Sequence, residues 1–172
     1  MTDTDASARL AALEERVSRL EDELAVHRTI VRYGFAVDSG EADATAALFT
    51  TDCRFDVDGR PMEGSEAVHA MVLGDAHQGL LPDAAHCIGP AVVEVDADGR
   101  HAVAVGYSRI YRRDDAGITL FRLGFNRWEL EKSPTGWRID RRTTRKIGSE
   151  EAQTVLRSAL ADPVGEVWVE RR

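Results

Sequence analysis

The chain has 172 residues, 43 % of them hydrophobic, which is enough for one globular domain whose core can enclose a cavity. A net charge of −8 argues against a general nucleic-acid binder and against an anionic membrane surface, because both select a basic face. Cys53 and Cys87 stand alone without CxxC spacing, so two reduced, half-buried thiols are expected rather than a disulfide framework or a zinc site.

The first residues, Met-Thr-Asp-Thr-Asp, carry no apolar signal core, and no run approaches bilayer-spanning length, so a soluble cytoplasmic protein is expected. Residues 1–9 are expected to fray, residues 10–161 to form a single domain and residues 162–172 to form a tail. Leu10, Leu13, Val17, Leu20 and Leu24 alternate three and four apart among Glu and Arg, a short heptad-like seam for packing on the domain or on a neighbouring subunit. From Ile30 the same helix becomes more apolar and enters the core. Val31, Phe35 and Asp38 follow at spacings of four and three, which predicts that Asp38 shares an apolar face and points inward. Gly40 then caps the helix. Asp38 would sit in its last turn, beside the negative end of the helix dipole and partly out of water, and both effects disfavour the ionised carboxylate. Such an acid needs a cationic or hydrogen-bonding partner.

After Gly40, Asp43 is read as the cap of a short helix carrying Leu48 and Phe49. Residues 53–57 alternate as a strand, with Asp58-Gly59 as a hairpin turn. Ser65 opens a helix holding Val68, Met71 and Val72 and closed by Gly74, and residues 75–83 read as a loop. From His86 the pattern changes to strands: residues 91–95, 101–113, 118–132 and 137–147, separated by Asp/Gly/Pro turns. Residues 149–160 form a last helix. The fold class is therefore α+β, with a strongly curved antiparallel sheet wrapped around a long N-terminal helix and open at one end as a pocket.

Of the five histidines, His27, His69, His77 and His101 read as surface or loop residues. The partner that Asp38 needs could be any of the five histidines or the many arginines; His86 differs from the other histidines because it opens a long strand after a loop, where a rigid scaffold presents a side chain to a pocket. Sequence signatures of serine hydrolases, zinc proteases, P-loops and dinucleotide folds are all missing, so no cofactor is expected. Asp38, His86 and His77 make a weak metal set, because His77 lies in the loop; no metal is expected.

The segments Leu13-Glu14 through Ala36-Val37-Asp38-Ser39-Gly40, Leu48-Phe49-Thr50-Thr51-Asp52-Cys53, the Gly59 to Gly64 hairpin, a histidine opening the next strand, and Gly136-Trp137-Arg138-Ile139 together resemble the NTF2-like superfamily. Within it the chain looks most like the SnoaL-like branch that contains scytalone dehydratase, bile-acid 7α-dehydratase and lindane dehydrochlorinase. The resemblance implies a cone-shaped α+β barrel and a catalytic Asp–His dyad, which falls on Asp38 and His86. It further implies a Tyr or Lys five residues before the Asp, here Tyr33, and a basic residue on the last strand, here Arg142 with Arg145 as the alternative. Phe35, Phe55, Met71, Tyr107 and Phe125 are expected to line the cone, with Arg145 as a further substrate contact. The implied activity is a cofactor-independent lyase or isomerase acting on a small, mostly apolar cyclic, polyketide or steroid-like molecule. A polyketide cyclase or a non-catalytic small-molecule-binding module of the same fold is the alternative. A homotrimer is implied by the resemblance, with a dimer as runner-up.

Overall fold

The computed structural model describes residues 3–161, with side chains described from residue 5 to residue 159. The expected tail at residues 162–172 lies outside the described residues. Helix α1 (Asp3–Asp38) is 36 residues long, or about 54 Å at 1.5 Å per residue, and it begins at Asp3 rather than fraying up to Leu10. Residues 5–21 are exposed, so its first half projects from the body. The helix meets the domain at Asp22, a buried carboxylate that accepts the Trp137 indole N–H at 3.0 Å and pairs with Lys132 at 2.6 Å. From there Val26, Ile30, Tyr33 and Val37 face the core.

Helix α2 (Ala42–Ala46) follows, shorter than expected: Glu41 occupies the cap position, Asp43 lies in the first turn, and Phe49 already belongs to strand β1 (Phe49–Val57). Strand β2 (Arg60–Glu63) returns through the Asp58-Gly59 turn, with both residues at positive φ. Helix α3 (Ser65–Leu73) turns Val68 and Val72 inward as its spacing predicts. Residues 75–83, expected as a loop, contain a further helical turn, α4 (Asp75–Gln78). Four long strands follow, β3 (Ala84–Val95), β4 (His101–Asp114), β5 (Gly117–Ser133) and β6 (Gly136–Lys146), and then helix α5 (Glu150–Ala161).

The strands form one open six-stranded sheet in the order β2-β1-β6-β5-β4-β3. It is mixed rather than wholly antiparallel, because β1 lies parallel to β6, with Phe55 opposite Arg142. Strand alternation divides the sheet into two faces. Ala102, Ala104, Trp128, Leu130 and Ile139 join α1, α3, Phe49 and Phe55 in the main core. Val103, Val105 and Phe125 point to the opposite face, where Val155, Leu156 and Ala159 of α5 pack on them. A bulge between Ile88 and Ala91 shifts the phase of β3, so that Ile88 on one side of it and Ala91 and Val93 on the other all reach the main core.

Candidate active site

Asp38 is the last residue of α1, and His86 lies near the start of β3. The two meet through a pair of hydrogen bonds: Asp38 Oδ1 is 2.6 Å from His86 Nδ1, and Oδ2 accepts the His86 backbone N–H at 2.7 Å. An ionised carboxylate only accepts, so Nδ1 carries the proton and the lone pair of the neutral ring sits on Nε2. Nε2 makes no hydrogen bond among the described residues. The side chains are 12 % exposed for His86 and 23 % for Asp38, so the pair is shielded without being sealed.

The approach of α1 to β3 depends on Gly34, one helical turn before Asp38 on the same face. A Cβ at that position would stand 2.5 Å from the His86 carbonyl oxygen. Only glycine lets the two backbones come this close. Sequence reasoning missed Gly34, although a glycine inside a helix, where it costs about 1 kcal/mol relative to alanine, was the available signal.

A second residue was misplaced. His77 is buried rather than solvated, because it sits on α4, and its Nε2–H donates to the Val37 carbonyl at 2.7 Å. The Val37 carbonyl, which also accepts the Gly40 backbone N–H at 3.2 Å, thus gains a second donor at the end of α1, beside Asp38. Its ring centroid is 6.1 Å from that of His86. The remaining histidines are peripheral: His69 pairs with Asp43 at 3.1 Å, and His101 with Asp96 at 3.4 Å.

Tyr33 and Arg142 come together in the main core. The Arg142 guanidinium carbon lies 4.2 Å from the Tyr33 ring centroid and 4.6 Å from that of Phe55, with Trp128 at 5.6 Å. Its Nε and Nη2 donate to Asn126 Oδ1 at 3.2 and 2.9 Å, and Asn126 Nδ2 donates to Ser108 Oγ at 2.7 Å. Nη1 is buried with no hydrogen-bond partner among the described residues. Burial is the main influence on this group and pulls its pKa below the ordinary arginine value; Tyr33 opposes that and Arg122 adds to it. Asn126 and Ser108 escaped the sequence reading, since neutral polar residues inside a long strand carry no signal of their own.

Ser108 sits opposite Ile88, two residues beyond His86, so inward-facing polar groups run from the dyad on β3 across β4 and β5 to Arg142 on β6. Three inter-strand spacings put an upper bound of about 14 Å on the lateral distance between the end strands. Phe55 is buried beneath Arg142, and Met71 on α3 packs half-buried against the same core.

Four expected wall residues lie elsewhere. Phe35 is 68 % exposed, because the inward face of α1 passes through Tyr33, Gly34 and Val37 rather than through Val31 and Phe35. Phe125 is an odd number of residues from the inward Trp128, so it faces α5, and Tyr107 stacks edge-on to it at 5.3 Å, itself exposed. Arg145 sits opposite Phe125 in register and pairs with Asp56 at 2.8 Å on that outer face, which leaves Arg142 as the inward arginine. Grooves of about 440 and 400 Å³ occur beside Pro82, Tyr111 and Ile118 and beside Ala46 and His69, and none of the ten expected site residues lines either one.

The cysteines also differ from expectation, with Cys53 fully buried and Cys87 exposed. Among the described residues, Asp96, Asp98 and His101 are grouped closely enough to suit a metal ion, at the far end of β3 from His86. No described helix is long and apolar enough to cross a membrane.

Comparison with known proteins agrees with this architecture. A curated relative, the uncharacterised protein Rv2910c of Mycobacterium tuberculosis, is 27 % identical over 136 residues, covering 76 % of this chain and 88 % of its own. An NTF2-like protein of cystatin-like fold from Novosphingobium aromaticivorans superposes with a TM-score of 0.76 at 34 % identity, covering 90 % of this chain and 97 % of that one. A candidate scytalone dehydratase from the same organism shares the fold at a TM-score of 0.66 and 17 % identity, covering 77 % of this chain and 88 % of its own. The SnoaL-like domain model matches residues 18–143, a span that holds α1 from its exposed half onward, the Asp38–His86 pair and Arg142, and the chain belongs to that family within the NTF2-like fold.

Proposed function

We propose that this protein is a lyase or isomerase that removes a carbon-bound proton from a small, mostly apolar molecule, with His86 as general base. The observation that carries the reading is the pair of hydrogen bonds that Asp38 accepts from His86, which leaves Nε2 as the basic nitrogen, without a hydrogen-bond partner among the described residues. Asp38 fixes the tautomer beforehand and stabilises the imidazolium that forms when Nε2 takes the proton. In an elimination, the C–H electron pair becomes the new carbon–carbon double bond as hydroxide leaves, and the departing oxygen takes a proton from the imidazolium or from Tyr33. In an isomerisation, the imidazolium returns the same proton to another carbon.

Arg142 is the group suited to an oxygen that gains negative charge, since its guanidinium is buried and cationic and its Nη1 has no hydrogen-bond partner among the described residues. Elimination of water is the preferred reaction, by likeness to the dehydratases of the branch. These side chains supply the whole proton inventory of either reaction, so a cofactor-independent mechanism suffices.

Hydrogen–deuterium exchange tests this without knowledge of the leaving group. A panel of cyclic ketones and β-hydroxy ketones in D₂O is followed by NMR for exchange of the protons next to the carbonyl. Exchange that depends on the protein and falls by about 10²–10⁴-fold in His86→Ala is expected. Binding of panel members without exchange, at equal affinity in wild type and His86→Ala, would instead make the protein a small-molecule-binding module.

A further inference from the structure

The exposed half of α1 has two distinct faces. Asp22, Val26, Thr29, Ile30, Tyr33 and Val37 are buried on one side of the helix. At about 100° per residue, Leu10, Leu13, Val17, Leu20 and Leu24 fall within about 40° of one another's mean direction on the opposite side. All five are large apolar residues between 49 and 63 % exposed. The stripe continues through Val31 to Phe35, which explains why Phe35 is on the surface.

This seam has the pattern of a two-stranded coiled coil. Leu10, Val17 and Leu24 take the a positions, and Leu13 and Leu20 the d positions. Leu at d with a β-branched residue among the a positions favours two strands in parallel. The flanking charges specify the partner. In a parallel pair in register, each g residue faces the e residue five positions on in the other chain. That juxtaposes Arg16 with Glu21 and Glu23 with Arg28, each twice by symmetry, and Arg9 with Glu14 in the same sense. Every such pair is opposite in sign. An antiparallel pair layered between Val17 and Leu20 would instead set Glu14 against Glu21.

We infer that the partner of this seam is a second copy of the same chain, docked through α1 as a parallel, in-register dimer. The two domains then sit side by side beyond Leu24, and the assembly is two-fold, not the trimer that the resemblance implies. The contact is short, so the dimer dissociates at low concentration.

Two charge-neutral variants test this. Arg16→Glu with Glu23→Arg reverses the g positions, and Glu21→Arg with Arg28→Glu reverses the e positions. Each variant alone has every one of those four contacts repulsive, whereas a one-to-one mixture restores all four. Analytical ultracentrifugation of the parent is expected to give a concentration-dependent dimer. Each variant alone is expected to dimerise about tenfold or more weakly, and the mixture to recover the parental dissociation constant. Near-ultraviolet circular dichroism confirms that each variant keeps the folded domain. A parent that stays monomeric at about 100 μM, or that sediments as a trimer, overturns the inference. So does a g-reversed variant that dimerises as well as the parent, because an antiparallel pair keeps its attraction between residues 16 and 23 after that exchange.

Discussion

Asp38 acts on His86 through geometry that an amide cannot reproduce. In Asp38→Asn the side chain still fits, but its one oxygen cannot serve both Nδ1–H and the backbone N–H, which it now holds at 2.6 and 2.7 Å. Turnover of any substrate found by the exchange assay is expected to drop by about 10²-fold or more with little change in KM, read from steady-state kinetics. Gly34 is the other residue on which this geometry depends. Gly34→Ala drives a methyl group into the His86 carbonyl, which would lie 2.5 Å away. The helix or the strand must shift, at a cost of about 1–3 kcal/mol, measurable as a lower urea midpoint together with a displaced His86 imidazole signal in NMR. A parental midpoint in Gly34→Ala would show that the two backbones are farther apart.

Among the elements, the β1–β2 turn ties the open end of the sheet together. Asp58 receives both Arg122 guanidinium nitrogens, at 2.6 and 2.9 Å, and the Lys146 backbone N–H at 2.8 Å. The Arg122 hydrogen bonds are the largest of several influences that hold the Asp58 carboxyl below its ordinary value of 3.8. A carboxylate whose folded pKa is depressed contributes stability above its unfolded pKa, and loses it as pH falls through the folded value. Asp58→Asn, which tolerates the positive φ at this turn, is therefore expected to be less stable than wild type at pH 6. The gap should narrow at a pH well below the ordinary carboxylate value of 3.8. Denaturant melts at the two pH values check this, and a gap that persists in acid would mean that packing, not charge, makes the difference.

For the molecule as a whole, the two cysteines report on the integrity of the core. Burial, reinforced by the nearby Asp140, Asp52 and Glu63 charges, pushes the Cys53 thiol up to about 11, whereas Cys87 is exposed. A thiol reagent at pH 8 is expected to titrate one cysteine in the native protein and two in denaturant; two rapid equivalents without denaturant would show that the core opens readily. The element order was legible in the sequence because the period changes from helical to alternating at His86 and because turn residues separate the long strands. The Asp38–His86 pairing was legible only in part: a carboxylate at an inward helix end needs a partner, but five histidines and many arginines left its identity open, and the resemblance to the SnoaL-like branch singled out His86. Which strand residues face inward was not legible: alternation says which residues share a face but not which face packs on α1, and Tyr107, Phe125 and Arg145 were assigned to the wrong one. Phe35 failed for a related reason, because the helix carries two apolar faces and only packing decides which one is buried. Local periodicity thus determined the elements and an inward Asp38 in need of a partner, while the close approach at Gly34, the buried Arg142–Asn126–Ser108 chain and the choice of α1 face were decided by tertiary contacts that bring together residues distant in sequence.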